Sequence, residues 1–266
     1  MKKIGFNILL LFISVMAFAQ TDSTQVNTEL VQASAPVVTK AQADSAYINN
    51  DFASAVYLYE NILTNQGESA DVYYNLGNSY YKMDNIAKAI LNYEKALLLN
   101  PGNGDIRFNL ELAQSKTVDK VTPMSEMFFI TWTKSLVNTM NEKGWAKMGI
   151  TTFIIMLAAL ALYFFSQKIA LKKTGFMVAV SMLLLCILSN IFASSQKTDA
   201  QNHDTAIIMA PSVTVKSTPN EGGTELFILH EGRKVNIKDN TMREWKEIQL
   251  EDGNAGWVPA SVIEII

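Results

Sequence analysis

The sequence predicts a multidomain chain in three folded parts: an all-α helical repeat, a two-helix transmembrane hairpin and an all-β small barrel. Three observations carry this prediction. Residues 46–63 realign with residues 80–97 after a shift of about 34 positions. Two uncharged apolar runs of helix length come next, and short alternating strands separated by turn residues fill the C-terminal quarter.

The chain opens with Lys2 and Lys3, an apolar run from Ile4 through Val15, and Ala17-Phe18-Ala19 before Gln20. This is the layout of a signal peptide over residues 1–19, with small residues three and one before the cut. Left uncleaved, the same segment would be an anchor helix, and either form exports the residues C-terminal to it. Residues 20–37 are polar and small without a sustained period, which predicts a disordered linker. The single cysteine, Cys186, lies inside an apolar run, so no disulfide framework is available and no lipid-attachment cysteine adjoins the signal. Without Lys2 and Lys3 the 22 basic side chains fall to 20, against 25 acidic ones. That balance argues against nucleic acid as a partner.

In residues 38–120, Tyr73, Leu76, Gly77 and Tyr80 fall in the first helix of the second copy, and Ala89, Tyr93 and Ala96 in its second helix. Pro101 ends the unit. Gly77 and Ala89 allow close helix approach, Leu76, Tyr80 and Tyr93 fill the space between, and Pro101 lacks the amide hydrogen a continuing helix needs. At this spacing the copy resembles the tetratricopeptide repeat family. The first copy keeps Ala55 and Tyr59, but Gln42 and Ala43 stand where leucine and glycine are expected. Asp105 to Lys116 reads as a further helix with Ile106, Leu110 and Ala113 on one face. Such arrays need about three units to bury a continuous core, so a partner or the next segment of the chain is expected to complete this one.

Residues 121–145, opened by Pro123, form an amphipathic connector that suits either the membrane surface or the last repeat helix. Transmembrane helices are expected over 146–166 and 174–194, each holding a charge-free run of roughly 26 to 30 Å as a helix. The short loop between them, 167–173, carries Lys168, Lys172 and Lys173, which marks it as cytoplasmic and places both flanking parts outside. Trp145 and Tyr163 are expected at the interfaces. No ionisable side chain lies within either charge-free run, so the hairpin is an anchor rather than a proton or ion path.

After a linker over 195–205, residues 206–266 alternate in short runs, Val213/Val215, Phe227/Leu229, Val235/Ile237 and Ile248/Leu250, separated by Gly- and Asn-containing turns. The order VTVKSTP, LFILHEGRKVNI, REWKEIQL and DGNAGWVPASVIEI resembles the bacterial SH3-like family. Trp245 and Trp257 either form its ligand groove or complete its small core. With six basic and nine acidic side chains the module is acidic. The resemblance implies binding of cell-wall peptide or a peptide segment.

Motifs for catalysis are absent. His203 and His230 are far apart in the chain, and His230-Glu231 lacks the second histidine of a zinc-protease helix. No phosphate loop or nucleophile elbow occurs either, so the expectation is a non-enzyme with no metal and no cofactor. The best binding candidates are Tyr74, Asn78, Tyr81 and Lys82, on the helix face that lines the concave surface in the family resembled; a merely solvated face is the alternative. Lys40 and Asn78 faintly resemble a carboxylate clamp, which Asp44 opposes.

Taken in order, signal, repeat, two spans and SH3-like module are similar to the BatE proteins of the Bacteroides aerotolerance operon. The resemblance implies a two-span inner-membrane scaffold with both folded parts in the periplasm. Its implied partners are proteins, including von Willebrand A-type membrane proteins of the same operon. A peptidoglycan-binding sensor is the competing expectation.

Overall fold

The structure is a computed structural model. It describes residues 38–120, 127–202 and 204–266, all within one compact unit, Val38–Ile266. The expected signal peptide, the linker over 20–37, Pro123 and His203 lie outside the described residues.

Short polar side chains set where the first helices start. Thr39 opens α1 (Lys40–Ile48), Asp51 opens α2 (Phe52–Gln66), Asn85 opens α4 (Ile86–Leu99) and Asn103 opens α5 (Gly104–Ser115). Each accepts an amide hydrogen that the helix cannot pair internally. Between α2 and α4 lies α3 (Ala70–Lys82). At α1 the cap is reciprocal: Gln42 Oε1 accepts from the Thr39 amide at 2.9 Å while Thr39 accepts from the Gln42 amide. Gln42 is therefore an N-terminal fastener, not simply a lost core leucine. Ala43, at the expected glycine position, is fully buried.

The repeat core holds Ala55, Tyr59, Leu76, Tyr80, Tyr93 and Ala96, with Ile106, Leu110 and Ala113 contributed by α5. A Cβ on Gly77 would stand 2.7 Å from the Tyr93 ring, so only glycine permits this separation of α3 and α4. Helix α4 is buried almost all round, through Ala87, Ala89, Ile90, Leu91, Asn92, Tyr93, Glu94 and Ala96. Such a helix needs cover on every side. Helices α3 and α5 supply part of it, and elements from the rest of the chain supply the remainder.

A short helix, α6 (Phe128–Val137), precedes two long ones, α7 (Glu142–Phe165) and α8 (Ile169–Gln201), which pack as an antiparallel hairpin. The connector therefore breaks at Asn138–Asn141, and Trp145 belongs to α7. Both long helices are apolar enough to cross a membrane. Their apolar windows are only 17% and 11% buried, so most of these side chains face no protein core. Gly175 sets the spacing, since a Cβ there would stand 2.9 Å from the Ala159 carbonyl oxygen. Trp145, near the start of α7, is buried within the protein: its ring meets Phe192 edge-on at 4.9 Å and its indole N–H donates to the Val137 carbonyl at 2.8 Å.

The C-terminal part is a seven-stranded antiparallel sheet: β1 (Thr205–Ile208), β2 (Ser212–Lys216), β3 (Glu225–His230), β4 (Lys234–Asp239), β5 (Trp245–Gln249), β6 (Ala255–Pro259) and β7 (Ile263–Ile265). Its order is β3-β2-β6-β5-β4-β1-β7. Ala206, Ile208, Val213, Val215, Leu229, Val235, Ile248 and Val258 meet in one core, so the sheet curls over residues drawn from six strands. Strand β1 serves two cores. Ala206 and Ile208 point into the sheet core, whereas Ile207 joins the repeat core, because alternate residues of a strand face opposite ways.

Candidate partner-binding groove

Repeat packing brings side chains from four helices to one hollow. Tyr74, Asn78, Tyr81 and Lys82 of α3 line a depression of about 310 Å³, together with Tyr47 of α1, Tyr93 of α4 and Asn109 and Leu112 of α5. The four residues expected from the sequence are thus brought together. Of the other four, Tyr93 was read only as packing between the helices, and Tyr47, Asn109 and Leu112 were missed, although repetition held the signal for two of these: one period before Tyr81 lies Tyr47, and one period after Asn78 lies Leu112. The same shift relates Lys82 to Lys116.

The groove floor is a hydrogen-bonded network. Tyr93 Oη donates to Asn78 Oδ1 at 2.8 Å, Asn109 Nδ2 donates to the same oxygen at 2.9 Å, and Asn109 Nδ2 also reaches Tyr74 Oη at 3.0 Å. Burial pushes the Tyr93 phenol up, with Tyr74, Tyr47 and Tyr81 adding to the shift, so it is a proton donor throughout the neutral range. Asn78 is half-buried and its carbonyl already serves two donors, which gives this residue a structural task within the candidate site. Tyr81 is covered by Lys116, whose Nζ lies 4.2 Å from the ring centroid and 3.5 Å from Asp84 Oδ1. Lys82 is exposed at the rim.

Residues 70–103 match the tetratricopeptide repeat family. The matched repeat comprises α3, α4 and the turn after them, so the groove residues of α3 and Tyr93 belong to it. Of its signature, Leu76, Gly77, Tyr80, Ala89, Tyr93, Ala96 and Pro101 are buried. Tyr73 is half-buried, its hydroxyl donating to Glu68 at 3.2 Å and its phenol pushed up to about 12 by burial and then by Glu68. No curated protein matches the chain.

Beside the repeat, Lys40 is tied to Asp44 at 2.7 Å. Asp44 also accepts from Tyr59 Oη at 2.7 Å and Asn75 Nδ2 at 3.1 Å. Lys40 is therefore already paired, which leaves little of a carboxylate clamp.

The opposite side of α4 is closed by the sheet. Ile207 and Ile266 lie in the repeat core with Met209 packed against it. Glu94, 8% exposed, meets Lys234 at 2.7 Å. Trp245 and Trp257 do not enter the sheet core. Trp245 pairs with Pro259 and Trp257 with Glu247, in the register that turns Ile248 and Val258 inward, so both tryptophans share the outer face of β5 and β6, half-buried. Lys168 stands just before α8 and Lys172 and Lys173 fall within its first five residues, at the end of the hairpin away from both folded parts, and all three are exposed. Among the described residues no cluster of three or more His, Cys, Asp or Glu is placed to hold a metal ion.

Proposed function

We propose that this chain is a membrane-anchored, non-enzymatic scaffold that docks a partner protein segment in the groove of its repeat. The observation that carries this is the hollow itself, walled by Tyr47, Tyr74, Tyr81 and Tyr93 and rimmed by Lys82. Rigid aromatic side chains give contact area at small entropic cost, and the amides and lysine orient a peptide backbone or an acidic group. The two exposed apolar helices support bilayer anchoring, and the lysines at their turn favour its cytoplasmic placement. Both folded parts then stand in the periplasm, and their direct contact supports a shared compartment. The C-terminal sheet is taken as an SH3-like module, and the whole as a BatE-like component of an aerotolerance membrane complex. Von Willebrand A-type membrane proteins are the first partners to seek.

The test is photocrosslinking in intact cells from a benzophenone amino acid at Tyr74 or Tyr81. A protein adduct seen from both sites, and absent from exposed Tyr57 on α2, is the expected result. No adduct from either groove site would refute the reading.

A second reading, a peptidoglycan-binding sensor, is favoured by the outward placement of Trp245 and Trp257. Sedimentation of the full-length detergent-solubilised chain with purified sacculi, lost in Trp257→Ala, would support it. The full chain is required because cutting at residue 206 would uncover Ile207 and Ile266.

A further inference from the structure

Helix α6 is too short to span a bilayer, yet it carries a large apolar surface. Phe128, Phe129, Trp132 and Leu136 fall within an arc of about 100° on a helical wheel. They are 83%, 60%, 58% and 37% exposed. The arc next to it holds Thr131, Lys134, Ser135 and Asn138, which line a depression shared with Pro101 and Arg107 of the repeat. The turn after α6 abuts the repeat as well: a Cβ on Gly102 would lie 2.8 Å from the Thr139 carbonyl oxygen. The repeat therefore faces the polar flank of α6 across this depression, and the aromatic side is left uncovered.

The C-terminal end of α6 is tied to the hairpin. Gln196 of α8, 6% exposed, donates from Nε2 to the carbonyls of Val137 and Met140 at 2.8 and 2.7 Å, and Trp145 of α7 donates to Val137. These donors satisfy the Val137 carbonyl, which the helix end leaves unpaired, and the Met140 carbonyl in the turn after it. They also hold the C-terminal end of α6 at the mouth of the hairpin, whose exposed large apolar side chains run from Ile150 on α7 to Ile191 on α8.

We infer that α6 lies in the headgroup region of the bilayer leaflet nearest the folded parts, with Phe128, Phe129, Trp132 and Leu136 turned into the lipid. This rests on the hairpin being membrane-spanning. The occupant is lipid because the helix bearing this aromatic face is tied at its end to the mouth of the two apolar spans, and because a tryptophan-bearing amphipathic helix is suited to that boundary. With the turn after it against Gly102 of the repeat, α6 fixes the height of the groove above the membrane.

The test uses the full-length chain carrying Cys186→Ala, reconstituted in phosphatidylethanolamine and phosphatidylglycerol vesicles. Single spin labels are placed by Phe129→Cys, Trp132→Cys, Ile154→Cys at mid-span, and Tyr57→Cys as a water-exposed reference. Collision with oxygen and with a water-soluble nickel complex is then compared. Labels at 129 and 132 should favour oxygen over nickel several-fold more than the label at 57, at a shallower depth than the label at 154. If 154 is in lipid while 129 and 132 behave like 57, the inference is wrong. Shielding of 129 and 132 from both reagents would mean that a second copy or another protein covers the face, which also overturns it. A water-like label at 154 would remove the membrane reading first, and this inference with it.

Discussion

Asp119 holds His230 twice. Its Oδ2 accepts the His230 amide hydrogen at 2.7 Å, and its Oδ1 lies 2.8 Å from the imidazole Nδ1. The two residues are 111 positions apart and come from different folded parts, so this contact is a long-range fastening of repeat to sheet. Lys234 with Glu94 is a second such tie. Burial of Ile207 and Ile266 between the same parts contributes about 1.5–3 kcal/mol for each side chain.

Asp119→Ala should lower stability by about 1–2 kcal/mol, since it leaves the His230 amide without its acceptor. Faster hydrogen exchange at the β1 and β7 amides, with α2 unchanged, would locate the loss at the seam. Lys234→Met should cost about 2 kcal/mol by stranding the Glu94 carboxylate, less than for a fully buried pair because Lys234 is partly exposed. Adding Glu94→Leu should recover most of it. A double variant no more stable than Lys234→Met alone would show that the carboxylate is not the source of the loss.

Gly77→Ala should destabilise the repeat by about 1–3 kcal/mol, because the new methyl meets the Tyr93 ring and α3 and α4 must part. Thermal unfolding followed by helical circular dichroism measures this. An unchanged midpoint would show that the ring yields freely.

Acid should weaken the first helix pair through Asp44. Burial raises this carboxyl, but hydrogen bonds from Lys40, Tyr59 and Asn75 outweigh it and hold the group below the usual carboxylate range. A depressed folded value means that the stabilisation is complete above the unfolded value, about 3.9, and is lost as pH falls through the folded one. Denaturant midpoints should therefore decline below about pH 4. Asp44→Asn should show a shallower decline over the same range, and an identical acid limb would exclude Asp44 as a contributor.

Within the groove, two candidates should separate by assay. Asn78→Ala should reduce stability by about 1–2 kcal/mol, since Tyr93 Oη and Asn109 Nδ2 lose a shared acceptor. Lys82→Ala should leave the unfolding midpoint within about 0.5 kcal/mol of the parent while weakening partner crosslinking from Tyr81. A large stability loss in Lys82→Ala would assign that lysine to the fold instead.

Local pattern sufficed for the helical repeat, the two apolar helices and the strands β2 to β6 of the C-terminal sheet, but not for β1 and β7. Gly77, the Ala89–Tyr93 spacing and the uncharged runs each act within one helix pair or one helix, where period and composition report directly on burial. Three of the groove residues, Tyr74, Tyr81 and Lys82, were legible for the same reason, since a repeat assigns faces by position. Asn78 was legible by place but not by task, because its partners come from α4 and α5.

What tertiary structure alone decided is which surface covers which. Alternation in β1 marks Ile207 and Ile208 as both apolar, but nothing local says that one faces the sheet core and the other the repeat. The short array is completed by Ile207 and Ile266 of the same chain, and the seam residues Asp119, His230, Glu94 and Lys234 look like ordinary surface charges until the parts meet. Trp245 and Trp257 were ambiguous because strand register, not composition, turns them outward. A sequence records how apolar a face is; only the packed chain determines what that face is buried against, because burial is a property of two surfaces at once.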